Sequence, residues 1–400
     1  MKLVERHIIK EAQYEELCIK SKNLYNQALY YWRQSLFGNI QYFTEYDLTK
    51  LFTEFDEENY RALPAQTSQQ IIKLLFKNIK SWYKSRKEYD KNPKKFLGKP
   101  KMPKYKKKTF VTIFTNQQIV LKDNHIHFPK SVNLKSIKTK VNNIYQVRIV
   151  PNSDHFIIEV VYEKQEKPLK KYNGKWMGID LGMNNIATCT TKSSAVIFNG
   201  KPLKAINHFY NKRKSKLQSK LNKEKHTSKR IQRLTNSRNN KIENYIHQIS
   251  NKVIKLAEKE NVTKIIIGNN KNWKQNINLG NNTNKNFVSI PHSSLLDKIK
   301  YKGLLNGIEV ITTQEAYTSK CSSLDLEPIC KHDTYLGKRI SRGLFRTSKG
   351  QLINADVNAS LNISRIVAGD EIISDSVRSI VSMPIKFTFY NKNVNIINIF

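Results

Sequence analysis

The chain has 400 residues, 70 Lys and Arg against 32 Asp and Glu, and a formal net charge of +38. Such a charge needs a polyanionic partner, and nucleic acid fits better than an anionic membrane because the basic residues run along most of the chain, interleaved with Tyr, Phe and Trp. No apolar run approaches the ~18–20 residues of a membrane span.

Residues 1–30 lack the apolar core of a signal peptide, since Glu5, His7, Lys10, Glu11 and Glu15 interrupt it. A cytoplasmic protein is expected, nucleoid-associated when bound to DNA, with no membrane partner. Cys18, Cys189, Cys321 and Cys330 are scattered, which argues against a disulfide framework. The length allows two or three domains. Nothing in the sequence sets an oligomeric state.

Residues 1–10 read as a strand. Residues 12–36 carry Tyr14, Leu17, Cys18, Leu24, Tyr25, Ala28, Leu29 and Trp32 at helical spacing. Further helices are predicted at 46–54, 56–62 and 67–90, the last with Ile71, Ile72, Leu75, Ile79 and Trp82 on one face and lysines, Lys84 among them, on another. Such a lobe is either a bundle with a solvated basic face or a grip on a duplex.

Residues 93–108 are rich in Pro and Lys, which excludes a helix or a central strand. The stretch is a linker or, the reading favoured here, an arm on nucleic acid. Lys101, Lys104 and Lys106 would meet phosphates while Phe96 or Tyr105 stacks on a base. Strands are predicted at 110–114, 118–121, 125–128, 136–138, 146–150 and 156–162, with hairpins at Asp123-Asn124 and Asn152-Ser153. With strand 1–10 they would close a small β-barrel into which the helices are inserted. Residues 163–172 are a polar linker.

Residues 176–191 read as two strands joined by a Gly182/Asn184-Asn185 turn, with Asp180 between Ile179 and Leu181. A carboxylate among strand hydrophobes is costly unless paired or metal-bound, so Asp180 is the first candidate for chemistry. A third strand follows at 195–198. Residues 203–260 predict a helical hairpin, its first arm (211–238) basic, with Arg213, Lys216, Lys220 and Arg230, and its second arm apolar. A solvated charged hairpin is the plain alternative to a nucleic-acid face. A strand at 263–267, an Asn/Lys-rich and mobile stretch at 271–286, a helix at 291–306, a strand at 308–312 and a helix at 354–368 complete an α/β layout with a mixed sheet. Residues 370–400 are not placed.

Asp356 opens the last of these helices, where an N-cap is the structural alternative to a chemical role. Asp180 in a first strand and Asp356 at a late helix start nonetheless match the arrangement of RNase H-like nucleases, whose carboxylates hold two divalent ions. Hard oxygen ligands select Mg²⁺ or Mn²⁺.

Several motifs together resemble those of the transposon-encoded TnpB (OrfB) proteins, relatives of compact type V CRISPR effectors. Gly178-Ile-Asp-Leu-Gly182 resembles the first RuvC motif and Ile353-Asn-Ala-Asp-Val-Asn-Ala359 the third. Asn207–Leu221 resembles the bridging helix, Ile290-Pro-His292 with Lys300-Tyr-Lys302 the helix before the last strand, and residues 99–105 the N-terminal arm. The resemblance covers nearly the whole chain. It implies an RNA-guided DNA endonuclease with a wedge β-barrel (1–11 and 93–170), an inserted helical recognition lobe (12–92), an RNase H-like RuvC domain (171–320 and 351–370), a target-binding insertion (321–350) and a tail (371–400). It also implies a guide RNA from the mobile element and a double-stranded DNA target.

Two departures stand out. The family's second RuvC motif ends its strand in a glutamate, whereas the matching Lys264-Ile-Ile-Ile-Gly-Asn-Asn270 has Gly268 and no acid. Either Glu315, at the end of the next strand, reaches the same metals from a strand ~4.7–4.9 Å away, or the chain only binds DNA, as a repressor. Asp325 and Glu327 are weaker substitutes for the missing acid. The expected catalytic metal ligands are therefore Asp180, Glu315 and Asp356. The second departure is zinc. Cys321, Cys330 and His332 do not form the family's two Cys-x-x-Cys pairs, and no structural zinc is expected. Arg339, Arg342 and Arg346 in the insertion would then bind phosphates. A DDE-type transposase on the same fold is the remaining alternative.

Overall fold

The computed structural model describes all residues except 39–41, 223, 270–289, 391–392 and 399–400, and the side chains of 390 and 393–398 are likewise outside the description. The Asn/Lys-rich stretch 271–286 therefore lies outside the described residues. Two compact units are present, Met1–Gln165 and Glu166–Phe400.

The first unit opens with strand β1 (Lys2–Ile9) and helices α1 (Gln13–Phe37), α2 (Glu45–Glu54), α3 (Glu58–Arg61) and α4 (Ala65–Lys91). In α1 the buried residues recur every three or four positions, from Tyr14 through Leu17, Leu24 and Ala28 to Trp32. Thr44 and Asp47 form a reciprocal capping box that starts α2. Six strands follow: β2 (Thr112–Thr115), β3 (Val120–Lys122), β4 (His125–His127), β5 (Ile137–Lys138), β6 (Ile144–Pro151) and β7 (Phe156–Glu163). The β3–β4 turn has positive φ at both Asp123 (50°) and Asn124 (58°), the geometry of a two-residue hairpin.

The expected closed barrel is not what these strands make. They pair into a four-stranded sheet, β1-β7-β6-β2, and a separate three-stranded one, β3-β4-β5. The strands of the second sheet are two or three residues long, too short to carry pairing around a ring. One hydrophobic cluster joins α1 and α4 to Phe114, Val147, Ile149, Ile158 and Val160 of the larger sheet.

The Pro/Lys arm is docked on the helices of its own unit. Arg33 donates to the Pro103 carbonyl at 2.7 Å and Trp82 Nε1 to the Pro100 carbonyl at 3.2 Å. Asn26 brackets Lys106, donating to its carbonyl (2.9 Å) and accepting from its N–H (2.7 Å). Each ring expected to stack on bases has a neighbour in its own unit, although Tyr105 is 42% exposed. Tyr105 lies against the Arg33 guanidinium at 4.6 Å, and Phe96 packs edge-on to Tyr89.

The second unit begins with β8 (Trp176–Asp180), β9 (Asn185–Thr190), β10 (Ala195–Asn199), α5 (Lys201–Gln218) and α6 (Lys229–Lys259). It continues with β11 (Lys264–Gly268), α7 (His292–Leu305), β12 (Glu309–Thr313), β13 (Lys338–Ser341), β14 (Leu344–Arg346) and β15 (Leu352–Asn354). It closes with α8 (Ala355–Ala368), α9 (Asp375–Ile380), β16 (Ile385–Tyr390) and β17 (Asn393–Asn398). The helical hairpin breaks at 219–228, ahead of the capping residue Ser228, so the basic stretch 211–238 is shared between both arms rather than forming the first.

Seven strands form one mixed sheet in the order β12-β11-β8-β9-β10-β16-β17. β12, β11 and β8 run parallel, β9 is antiparallel to β8 and β10, and β16 runs parallel to β10. The unplaced C-terminal residues thus extend the sheet by two strands. Alternation sorts the side chains: Met177, Ile179, Ile265 and Ile267 face α6 and α7, while Trp176 and Ile266 face α8. Gly178 lets α8 approach closely, because a Cβ there would collide with the Ser364 hydroxyl and the Ser360 carbonyl.

Candidate active site

Parallel strands β8, β11 and β12 end at one edge of the sheet, the edge where open α/β sheets hold ligands. Asp180 is the last residue of β8, half-buried at the strand end rather than within it. Gly268 ends β11 opposite Thr313, which ends β12, and Glu315 follows two residues later.

A Cβ at Gly268 would lie 2.6 Å from Glu315 Oε2, 3.2 Å from Glu315 Cβ and 2.6 Å from Ile363 Cδ1. The side chain of Glu315 therefore lies over the β11 end, in space that any residue larger than glycine at 268 would need. The missing acid and the neighbouring glutamate are one steric feature.

Asp356 lies in the first turn of α8, and it is not the cap. Asn354 caps the helix, accepting from the N–H groups of Asp356 (3.0 Å) and Val357 (3.3 Å), which leaves the Asp356 carboxylate to face outward. Its Oδ2 accepts from Asn185 Nδ2 at 2.7 Å, and its Oδ1 is 3.7 Å from an Arg339 guanidinium nitrogen. Asn185 was legible in the sequence only as a turn residue. Its contact with Asp356 crosses 171 positions, and no local signal marks it. The same hairpin is braced by His292, whose Nε2 is 2.8 Å from the Gly182 carbonyl, and by Lys204, whose ammonium donates to Asn184.

Asp180 lies within electrostatic reach of both other carboxylates. Burial raises the Asp180 carboxyl well above the ordinary aspartate range. The charges of Asp356 and Glu315 raise it further, and Arg339 opposes them. Burial pushes Glu315 up to about 7. Like charges in a half-buried setting are costly until a cation joins them. The donor set is all hard oxygen, which suits a divalent ion such as Mg²⁺ or Mn²⁺. Among the described residues, however, no three His, Cys, Asp or Glu side chains are grouped to hold a metal ion as they stand.

Asp325 and Glu327 are committed elsewhere. Burial pushes Asp325 up, but bonds from the Ser322 hydroxyl (2.6 Å) and from Ser348 outweigh it and hold the group below its usual range. Glu327 is buried and accepts from the N–H groups of Ser322 (2.6 Å) and Leu336 (2.8 Å). Both staple the insertion to itself. Cys330 Sγ is 3.4 Å from His332 Nε2, while Cys321 Sγ points to the Cys330 carbonyl.

The other sequence-predicted contacts fall into separate groups. Arg339 on β13 reaches Asp356 because β13, β14 and β15 form one sheet that runs directly into α8. Arg342, in the β13–β14 turn, is close enough to Lys204 to help lower that lysine's pKa, behind the larger effect of burial. Arg346 is exposed on β14. Arg213, Lys216, Lys220 and Arg230 line one cavity between α5 and α6. Lys84, Lys101 and Lys104 are exposed in the first unit, and Lys106 lies 4.9 Å from the rings of Tyr25 and Phe110.

Comparison with known proteins agrees with the motifs. The OrfB_IS605 family, described as a probable transposase, matches residues 159–274, and the Cas12f1-like TNB domain matches residues 292–363. No curated protein matches the chain. Similar solved structures include a Cas12f1–sgRNA–target DNA complex, with 17% identity, 91% of this chain and 99% of that one covered, and a TM-score of 0.39. Another is a CRISPR-Cas12f ternary complex (16%, 88% and 80%, 0.36). A third is CasPhi-2 (Cas12j) bound to crRNA and phosphorothioate-DNA (9%, 94% and 92%, 0.44). The chain is therefore similar to the OrfB transposases through its first three sheet strands and basic hairpin, and to the Cas12f1-like TNB domain from α7 into α8. Among the described residues no helix is long and apolar enough to cross a membrane.

Proposed function

We propose that this chain, similar as it is to OrfB transposases and the Cas12f1-like TNB domain, is an RNA-guided DNA endonuclease of a mobile element. Guide pairing would supply sequence recognition, and the protein a basic scaffold for the strands. The observation that carries the nuclease reading is the Glu315 side chain lying in the space left by Gly268, its charge and that of Asp356 both felt by Asp180 at the end of β8.

Asp180, Glu315 and Asp356 would hold the divalent ions. Ions held by these carboxylates would supply activation of a water and charge stabilisation for a leaving 3′ oxygen. Asn185 fixes the rotamer of Asp356, and the Asn354 cap frees that carboxylate from the helix end. Arg339 offsets the negative charge near Asp180 and Asp356, and it would bind a phosphate brought to that edge.

A second reading has its own observation. The three carboxylates are not grouped to hold a metal as they stand, and Arg339 already faces Asp356. That arrangement suits a guided DNA binder that represses without cutting. Incubating the protein, its co-purified RNA and matched DNA with Mg²⁺ separates the two. Cutting that disappears in Glu315→Ala supports the nuclease. Guide-dependent binding with no cutting supports the repressor. Joining of DNA ends after ribonuclease treatment points to a DDE-type transposase instead.

A further inference from the structure

The α5/α6 hairpin carries two adjoining cavities that share Leu234 as a common wall. The first, of 510 Å³, is lined by Arg213, Lys216, Lys220, Arg230 and Arg233 over a leucine floor. The second, of 240 Å³, is lined mainly by Ile206, Phe209, Tyr210 and Leu234, with Ser237 and Arg238 at its edge. Among the described residues no carboxylate lines either cavity.

Arg213, Lys216 and Arg230, with Lys220 from the connection between the helices, repel one another around one space unless an anion sits among them. Facing helices also normally interlock their apolar side chains, yet among the described residues the gap here stays open and Phe209 is 56% exposed. The edge of the apolar cavity is preformed. Asn207, 1% exposed, accepts from Arg238 Nε at 2.8 Å and Nη2 at 2.6 Å, which fixes the guanidinium 5.6 Å from the Tyr210 ring. Arg213 ties the two cavities together, its guanidinium 5.9 Å from the Phe209 ring one turn before it.

We propose that this groove binds one unpaired nucleotide of a single strand, its base in the Phe209/Tyr210 cavity and its phosphates among Arg213, Lys216, Lys220 and Arg230. A base stacked inside a duplex cannot enter an aromatic slot, whereas an unpaired one can, and every base offers a π-face to Phe209. The site deepens the nucleic-acid reading above without drawing on its metal chemistry.

The test uses the full chain in EDTA, so a chain that cuts nothing can still pass it. Five-nucleotide strands of equal charge are compared by fluorescence anisotropy: oligothymidine against a fully abasic strand, and oligouridine as the RNA arm. The base-bearing strand should bind about 10-fold tighter, in line with ~1–3 kcal/mol per stacked base. In Phe209→Ala that ratio should fall close to one, and Phe209→Trp should restore it. Photo-cross-links from a 5-iodouracil strand should map to Phe209 or Tyr210. Preference for the DNA strand assigns the site to displaced target DNA, and preference for RNA assigns it to the guide. An unchanged ratio in Phe209→Ala, no rescue by Phe209→Trp in a chain that melts like the wild type, or cross-links elsewhere overturns the proposal.

Discussion

Replacing Gly268 with alanine adds one methyl group at the point where two strands and a helix converge. Its carbon would stand 2.6 Å from the Glu315 carboxylate and 2.6 Å from Ile363 Cδ1. Ordinary carbon contacts begin near ~3.5 Å, so one neighbour must retreat by about 1 Å. Ile363 is wholly buried in the core under α8 and has little room to yield. Glu315 stands two residues beyond its strand end and is the group that moves. A displacement of about 1 Å of a catalytic group costs on the order of 10²-fold in rate. Gly268→Ala should therefore cut more slowly by about that factor while losing only about 1–3 kcal/mol of stability, the usual cost of overpacking. The assay is single-turnover cleavage of guide-matched DNA by Gly268→Ala, Glu315→Ala and the double variant. Once Glu315 is alanine there is no carboxylate to displace, so adding Gly268→Ala should change the residual rate less than 3-fold. Full activity in Gly268→Ala, or equal losses on both backgrounds, would refute the coupling of Gly268 to Glu315.

Glu315 should also show itself in stability. Its folded pKa of about 7 lies above the ordinary 4.5. The penalty on the folded state therefore grows as pH rises from 4.5 to about 7, is complete above that, and is absent below 4.5. The gap of about 2.5 units sets a ceiling of about 3 kcal/mol at 1.36 kcal/mol per unit. In EDTA, Glu315→Gln should raise Tm at pH 8 and leave it unchanged at pH 4. A Tm gain of the same size at both pH values would contradict the burial argument. Asn354→Ala should cost about 1 kcal/mol through loss of the α8 cap and should slow cleavage as Asp356 turns back to the bare helix end. A stability loss with the cleavage rate intact would limit Asn354 to a structural role. Asn185→Ala should slow cleavage with little effect on DNA affinity, because it holds Asp356 and not the strand. Weakened binding with an unaltered single-turnover rate would reverse that assignment.

The sequence exposes those features that depend on near neighbours. The two apolar runs in 176–191 announce β8 and β9, and the periodicity of 12–36 and 67–90 announces α1 and α4 to within two residues. The strand pair that brings Glu315 alongside Gly268 also follows from reading order, since β11 and β12 are consecutive strands joined through a helix. Asp356 and Asn354 illustrate the limit. Both residue types cap helices well, and only the backbone decides that Asn354 does so. The Asn185–Asp356 bond and the Arg339–Asp356 pair depend on which distant strands meet, as does the docking of β16 on β10. The closed barrel failed for a related reason. Alternation predicts strands but not whether pieces as short as β5 can carry a ring of pairing. The break between α5 and α6 was signalled by Ser228, a cap obscured by the even spread of lysines around it.

The central claim is that a guide directs Glu315-dependent cutting. Its most direct measurement is cleavage of matched and mismatched duplex DNA by the purified protein with its own co-purified RNA, in Mg²⁺ and in EDTA, for the wild type and Glu315→Ala. The account predicts cutting of matched DNA in Mg²⁺ only, lost in Glu315→Ala while guide-dependent binding persists. Guide-dependent binding by the wild type with no cutting in Mg²⁺, or undiminished cutting by Glu315→Ala, would contradict it.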